Sequence, residues 1–237
     1  MTTTPAPPTR PIGHAVVVLS GGLDSTTLAY WLHAHAARVT LLSADYGQRH
    51  RKELEFARAT ADALAVKHQI VDLTSVGRMM SGSALTDLAV DVPDGHYTDA
   101  SMAVTVVPHR NALLLDVAVC LATVLGADTV AYGAHGGDHT VYPDCRPGFV
   151  DAYGQMARLA GEGALPAGFS VLAPFLTLAK AEIVGLAEEL GVPFASTWSC
   201  YRGGELHCGT CGTCVERREA FAVAGVPDPT RYAAETA

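Results

Sequence analysis

"VVVLSGGLDSTTLAYWL", Val16 to Leu32, is the stretch whose reading decides the fold. A β-branched apolar run stops at Ser20. Two glycines follow, then Asp24, Ser25, Thr26 and Thr27, then an apolar segment that reads as a helix from Ser25 to about His35. A strand with no polar side is buried on both faces, which points to a parallel sheet covered by helices. Gly21 and Gly22 let the backbone turn tightly and approach a ligand closely. Amides in such a turn, with the N-terminus of the next helix, cradle an anion. Ser20, Ser25 and Thr26 add hydroxyl donors. "GG" alone reads equally well as a plain turn with Ser25 as helix N-cap. The turn is not a Walker loop, because the GK[ST] ending and its phosphate-gripping lysine are missing.

The same strand-then-helix rhythm continues outward. "HAVVVLS" (14–20), "VTLLSADY" (39–46), "HQIVDL" (68–73), "DTVAYGA" (128–134) and "VLAPF" (171–175) read as five strands. Leu54, Ala57, Ala61 and Leu64 repeat at helical spacing, residues 111–125 read as a buried helix, and "GFVDAYGQMARLA" (148–160) as another. Ile183, Leu186, Ala187 and Leu190 give a last amphipathic helix, stopped by Gly191 and Pro193. Residues 75–103 form a long irregular excursion, a length usually tied to function or mobility. The alternation predicts an α/β, doubly wound, mainly parallel five-stranded sheet flanked by helices. Its ligand should lie beyond the carboxyl ends of the strands.

At 237 residues, 49% hydrophobic and 17% charged, the chain suits one domain with a large core and a small appendage. A net charge of −8 and the lack of a basic block argue against nucleic acid as a partner. The longest apolar run, "ALLLDVAVCLATVL" (112–125), is too short to span a bilayer and contains Asp116. The start, "MTTTPAPPTRPIG", is Pro/Thr-rich, is expected to be disordered over 1–13, and lacks the pattern of a secretory signal. A cytoplasmic protein is therefore expected. The oligomeric state stays open, a homodimer included.

Four of the six cysteines, Cys200, Cys208, Cys211 and Cys214, fall in a C-x7-C-x2-C-x2-C pattern. In a reducing compartment that clustering favours a metal over disulfides. Four thiolates at this spacing signal one tetrahedral, closed, structural zinc. His207 competes with Cys208 as a ligand, and a redox CxxC or an iron–sulfur cluster is the rival reading.

"SGGLDS" resembles the PP-loop of the N-type ATP pyrophosphatases, which adenylate a carboxylate or carbonyl oxygen and release pyrophosphate. The resemblance implies that Leu19, Ser20, Gly21, Gly22, Leu23, Asp24, Ser25 and Thr26 bind ATP and hold the departing diphosphate, with Asp24 approaching magnesium. Four further stretches, "DYGQRHRKEL" (45–54), "VPHRN" (107–111), "YPDCR" (142–146) and "CYRGGELHCGTCGTC" (200–214), make the chain resemble the 7-cyano-7-deazaguanine synthases of the queuosine pathway from about Ala15 to Ala224. That family uses ATP to convert 7-carboxy-7-deazaguanine and ammonia into the nitrile, through an adenylated acid, an amide and an adenylated amide. It carries zinc at the cysteine cluster.

By this resemblance residues 14–195 are the ATP-binding catalytic domain and 196–237 the zinc-binding segment and tail. Arg110 clamps phosphates or makes a helix-start ion pair, and Lys180 reaches the phosphates or is a solvated helix lysine. Asp138 supplies a second carboxylate. Asp45 and Tyr46 contact the nucleotide or merely pack. Arg49 and His50 form another anion site or a polar helix start. Tyr142 packs against the heterocycle, Asp144 accepts from its guanidine-like edge, and Arg146 also binds the substrate. Cys145 faces the substrate or packs, and His109 shuttles protons or is an ordinary loop residue. In "HGGDHTVYPDCR" Asp138 and Thr140 align with the family's Asp and Ser, whereas His135, Gly136, His139 and Val141 depart from its commoner form. That departure motivates a rival that passes the activated acid to another amine. A PP-loop tRNA-modifying enzyme and a non-enzymatic nucleotide-binding module are further rivals.

Overall fold

Neighbouring side chains of one central strand found both halves of the core. In the computed structural model, which describes residues 5–96, 103–140 and 142–233, strand β1 (Ala15–Val18) sends Ala15 and Val17 to one face and Val16 to the other. This is the two-residue period of an extended chain. The remaining strands are β2 (Val39–Asp45), β3 (Lys67–Asp72), β4 (Thr129–Ala131) and β5 (Ser170–Leu172). Every pairing is parallel, in the order β3-β2-β1-β4-β5. The expected sheet is present, with β4 and β5 trimmed to three residues each.

Helices α1 (Leu23–His35), α2 (Glu53–Leu64) and α6 (Lys180–Glu189) cover the Val17 face, through Leu28, Trp31, Ala57, Ala61, Ile183 and Leu186. Helices α4 (Arg110–Leu125) and α5 (Pro147–Ala160) cover the Val16 face, through Leu115, Ala118, Ala122, Val150 and Tyr153. A short α3 (Thr74–Gly77) follows β3, and α7 (Gly212–Ala224) packs on α6 through Phe221, Ala220, Val184 and Ala187. The order reverses direction beside β1, where β4 enters on the side opposite β2. That is the switch point at which an open parallel sheet leaves a crevice.

Three sequence expectations need correction. Helix α4 is not buried throughout. A helix on one face of a sheet covers only a stripe, so Leu115, Ala118 and Ala122 are enclosed while Val124 stays 83% exposed. The N-terminal stretch is not loose up to residue 13. Ile12 is buried and bridges to Ala36, and Arg10 bonds the Asp128 carbonyl and Ser170 Oγ. The excursion after β3 is tied down in its described part by Arg49, whose guanidinium donates to the carbonyls of Ala84, Asp87 and Val90. Arg49 is thus spent on the backbone and is no anion site. Residues 97–102 of the excursion and Val141 lie outside the described residues, as does the side chain of Thr140.

Candidate active site

A pocket of about 280 Å³ opens at the switch point. Its floor is the turn between β1 and α1. Gly21 has φ +94°, and a Cβ there would stand 2.2 Å from the Glu53 carbonyl oxygen, so only glycine lets α2 lie this close to the turn. The hydroxyls of Ser20 and Ser25 meet at 3.0 Å. Ser25 Oγ accepts from the Ser20 amide and Ser20 Oγ from the Gly22 amide, which pins the loop. Ser25 lies inside the helix, which begins at Leu23 behind Gly22. No side chain caps this end, so the first-turn amides of α1 are directed to the pocket without a side-chain acceptor of their own.

One end of the pocket is ionic. Lys180 Nζ lies 2.6 Å from Asp24 Oδ2 and 3.5 Å from Glu216 Oε2. A lysine in the first turn of a helix opposes the helix dipole, and α6 tolerates Lys180 there because α1 and α7 supply the two carboxylates. Burial pushes the Asp24 carboxyl up, but Lys180 and His135 outweigh it and hold it below the ordinary range. Burial works against the Lys180 charge, but Asp24 and Glu216 hold it above its ordinary value. His135 Nε2 stands 4.0 Å from Asp24 and 3.6 Å from Asp138, while its Nδ1 accepts from the Gly137 amide at 3.1 Å. Asp24 Oδ1 is buried with no hydrogen-bond partner.

The other end is aromatic and polar. Tyr46, Tyr132, Tyr142, Tyr201 and Trp198 line it together with Arg110, Asn111, His50, Glu53 and Cys145. Arg110 lies beside the Tyr46 hydroxyl. Burial works against its charge, but the surrounding Tyr46, Tyr201 and Tyr142 hold the guanidinium above its ordinary value. Burial, then the Arg110 charge, push His50 down to about 3. Burial pushes Glu53 up to about 8 although Gln48 and Arg110 favour its ionised form. Burial also raises the Cys145 thiol well above its ordinary value, so it is no thiolate.

The far wall belongs to the cysteine segment. The sulfurs of Cys200, Cys208, Cys211 and Cys214 all lie within 4.8 Å of one another. His207 stands apart from them, its Nε2 accepting from the Ser199 amide at 3.0 Å. Between and beside these cysteines sit Trp198, Ser199, Tyr201 and Thr213, all pocket-lining. Buried Arg217 props the wall by donating to Thr197 Oγ1 and Ser199 Oγ, with Asp228 as counter-ion at 3.3 Å. The excursion docks here as well. Arg202 bonds Asp94 and the Val92 carbonyl, and the Gly95 amide bonds the Thr210 carbonyl.

Of the residues read from sequence, Leu19, Ser20, Gly22, Leu23, Asp24, Ser25, Tyr46, Arg110, Asp138, Tyr142 and Lys180 line the one pocket. Gly21 lies beneath it, and Thr26 is buried in α1 behind it. Asp45 does not line it. Its carboxylate takes the Gly47 amide and Arg51. Asp144 is also outside, because its Oδ2 accepts from the Asn111 amide at 3.3 Å and so caps α4 from a distance. Arg146 points to the His139 carbonyl, and His109 is exposed with φ +53° at the start of α4. Sequence reading passed over Glu53, Tyr132, Asn111, Trp198, Ser199, Tyr201, Thr213 and Glu216 as site residues. Glu53, Asn111, Tyr201 and Thr213 lie inside stretches already singled out. The others carry no signal except that they flank a strand end or a cysteine.

A model of the family described as queuosine biosynthesis protein QueC matches residues 14–225. The 7-cyano-7-deazaguanine synthase of Rhizobium rhizogenes is 57% identical over 92% of this chain and 91% of its own length. That of Brucella anthropi is 55% identical over 92% of each. Among solved structures, NMN synthetase from Francisella tularensis aligns with a TM-score of 0.49 at 14% identity, over 92% of this chain and 79% of that one.

Proposed function

The chain belongs to the family of queuosine biosynthesis protein QueC, and on that premise we propose that it is the ATP-dependent ligase that makes 7-cyano-7-deazaguanine from 7-carboxy-7-deazaguanine and ammonia. The observation that carries the reading is one pocket with two chemistries. A lysine-free glycine turn leading into an uncapped helix, with an Asp24–Lys180 pair, lies at one end, and an arginine among tyrosines at the other. The first end suits a diphosphate leaving from the α-phosphate. The second suits a flat heterocycle with an anionic group. Carboxylate and amide oxygens leave poorly and AMP leaves well, so each oxygen is activated by ATP before nitrogen attacks or the nitrile forms.

In this reading Ser20, Gly22 and Ser25 cradle the phosphates, and Lys180 neutralises them. Arg110 holds the carboxylate or the α-phosphate, and Tyr142 and Trp198 bound the ring and exclude water from the activated acyl group. Asp24 and Asp138 would hold magnesium, which supplies charge neutralisation at the phosphates. The orphaned, buried Oδ1 of Asp24 fits such a cation. Zinc fits the four cysteines. A tetrahedron with Zn–S near 2.3 Å has sulfurs about 3.8 Å apart, and Cys208 Sγ and Cys214 Sγ stand 3.9 Å apart. With all four ligands from the protein, that metal would be structural.

Small molecules are the partners in this reading. Among the described residues no helix is long and apolar enough to cross a membrane. The test is mass spectrometry of products from 7-carboxy-7-deazaguanine, ATP, magnesium and ammonium. The nitrile with AMP and pyrophosphate is expected. ADP and phosphate, or an amide that never advances, would overturn it.

A further inference from the structure

We propose that Glu53 is the proton acceptor for the incoming nitrogen, a carboxylate set in the pocket wall beside the glycine turn with a single oxygen left for the reaction. The inference rests on the ligase reading above. Glu53 opens α2, its residue is 7% exposed, and it lines the pocket. Its own carbonyl is the group that forbids a side chain at Gly21, so the carboxyl is anchored next to the turn that would carry the phosphates. Gln48 Nε2 donates to Oε1 at 3.1 Å, and His50 Nε2 stands 3.5 Å from the same oxygen. Gln48 is itself fixed by the Ala44 carbonyl and the Tyr46 amide. Both contacts fall on Oε1. Recognition of a guanidine-like edge would need both oxygens, whereas a proton acceptor needs one. His50 Nδ1 is buried without a hydrogen-bond partner in the same wall, a further polar atom turned to no protein group.

The other candidates in the pocket are committed elsewhere. Asp24 is paired with Lys180. His135 accepts from the Gly137 amide through Nδ1, so its Nε2 carries the hydrogen and faces the two aspartates. Cys145 keeps its proton. The groups acting on Glu53 are His50 on its own turn, Arg110 from α4, and Tyr46 at the end of β2. Burial among them leaves it a stronger base than an ordinary carboxylate, suited to an amine. In the step itself the nitrogen lone pair forms a bond to the acyl carbon. The bond from that carbon to the adenylate oxygen breaks, its electron pair leaving on AMP, and the surplus proton on nitrogen passes to Glu53 Oε2. Amide, AMP and a protonated Glu53 result.

The test separates activation from amination in the full-length protein. Glu53→Gln should lower ammonium-dependent amide formation by roughly 10²–10⁴-fold. Acid-dependent exchange of pyrophosphate into ATP should fall about tenfold at most, by comparison with the usual size of a general-base effect. Hydroxylamine, a nucleophile already unprotonated at neutral pH, keeps the titration of the amine itself out of the measurement. In the unmodified protein, trapping by hydroxylamine should rise with pH through a group near 8, and this profile should be lost in Glu53→Gln. Parallel loss of exchange and amination, or a profile unchanged by the substitution, would overturn the inference. If Glu53→Gln fails to fold, Glu53→Asp must shift the profile, and an unshifted profile sinks the idea. An unmodified protein that shows no acid-dependent exchange would instead refute the ligase reading.

Discussion

The glycine turn and the cysteine segment face the same pocket from opposite walls, and they are held by different means. The turn is fixed by backbone: β1 feeds it, α1 drains it, and the close approach of α2 leaves no room for a Cβ at Gly21. The cysteine wall has no strand behind it. It hangs on four thiols, on buried Arg217, and on the Arg202 and Gly95 contacts that tie the excursion to it. The difference teaches where failure should be total and where it should be selective. Disruption of the cysteine cluster should open the wall proposed to bound the heterocycle and leave the sheet standing. Loss of the turn should end nucleotide chemistry in a protein whose far wall is intact.

The largest effect is expected where side chains do most of the holding. Cys211→Ala, or removal of the metal by a chelator, should cost more than about 4 kcal/mol in the stability of the C-terminal segment. Hydrogen exchange should show protection lost over 196–233 and kept in β1 and β2. Surviving protein should bind the heterocycle weakly, because Trp198, Ser199, Tyr201 and Thr213 line the pocket. Equal loss of protection in the sheet would break the contrast between the walls. Next comes Gly21→Ala, expected to cost roughly 2–4 kcal/mol because backbone of α2 must move. Chemical denaturation measures it, and a cost under 1 kcal/mol (about the usual surface value) would mean the turn yields more easily than its contacts imply. Asp24→Asn keeps the shape and removes the charge. It should lower turnover by about 10²–10³-fold, with pyrophosphate release as the readout.

A smaller, pH-dependent effect separates the walls further. Glu53 holds its proton in the fold up to about 8, whereas the unfolded chain releases it near 4.5. Between those values the folded state binds more protons, so stability should fall as pH rises through the window. His50 and His207, pushed down by burial to about 3 and about 4, act in the opposite direction. The unfolded chain takes up their protons below 6.5, so stability should also fall as pH drops through that range. Denaturation at a series of pH values should therefore give a maximum between two limbs. Glu53→Gln should flatten the alkaline limb alone. Smallest of all, Asp144→Asn should cost no more than about 1 kcal/mol, the worth of a helix cap. It should leave the Michaelis constants for ATP and the heterocycle alike, and a selective rise for the heterocycle would return Asp144 to the pocket.

Much of this was legible from sequence, because local patterns decide it. Apolar runs too uniform for a wet face specify parallel strands, and the order of strand and helix specifies the winding. The lysine-free turn sets the loop apart from a Walker loop, and two C-x2-C steps bring four thiols together by the reach of adjacent residues. What these patterns leave undecided is direction across the fold. Asp144 and Tyr142 sit two residues apart in one loop, yet one caps α4 and the other lines the pocket, because the 3-10 turn at 143–145 rotates them apart. Arg49 and Glu53 belong to one quoted stretch, yet one is consumed by three carbonyls and the other faces the pocket. Sequence by itself determined the sheet, the glycine turn and the cysteine cluster, all set by backbone period or by contacts a few residues long. Only the tertiary structure decided which charges face the ligand, because that depends on how α2, α6 and α7, far apart in the chain, bring Glu53, Lys180 and Glu216 around one turn.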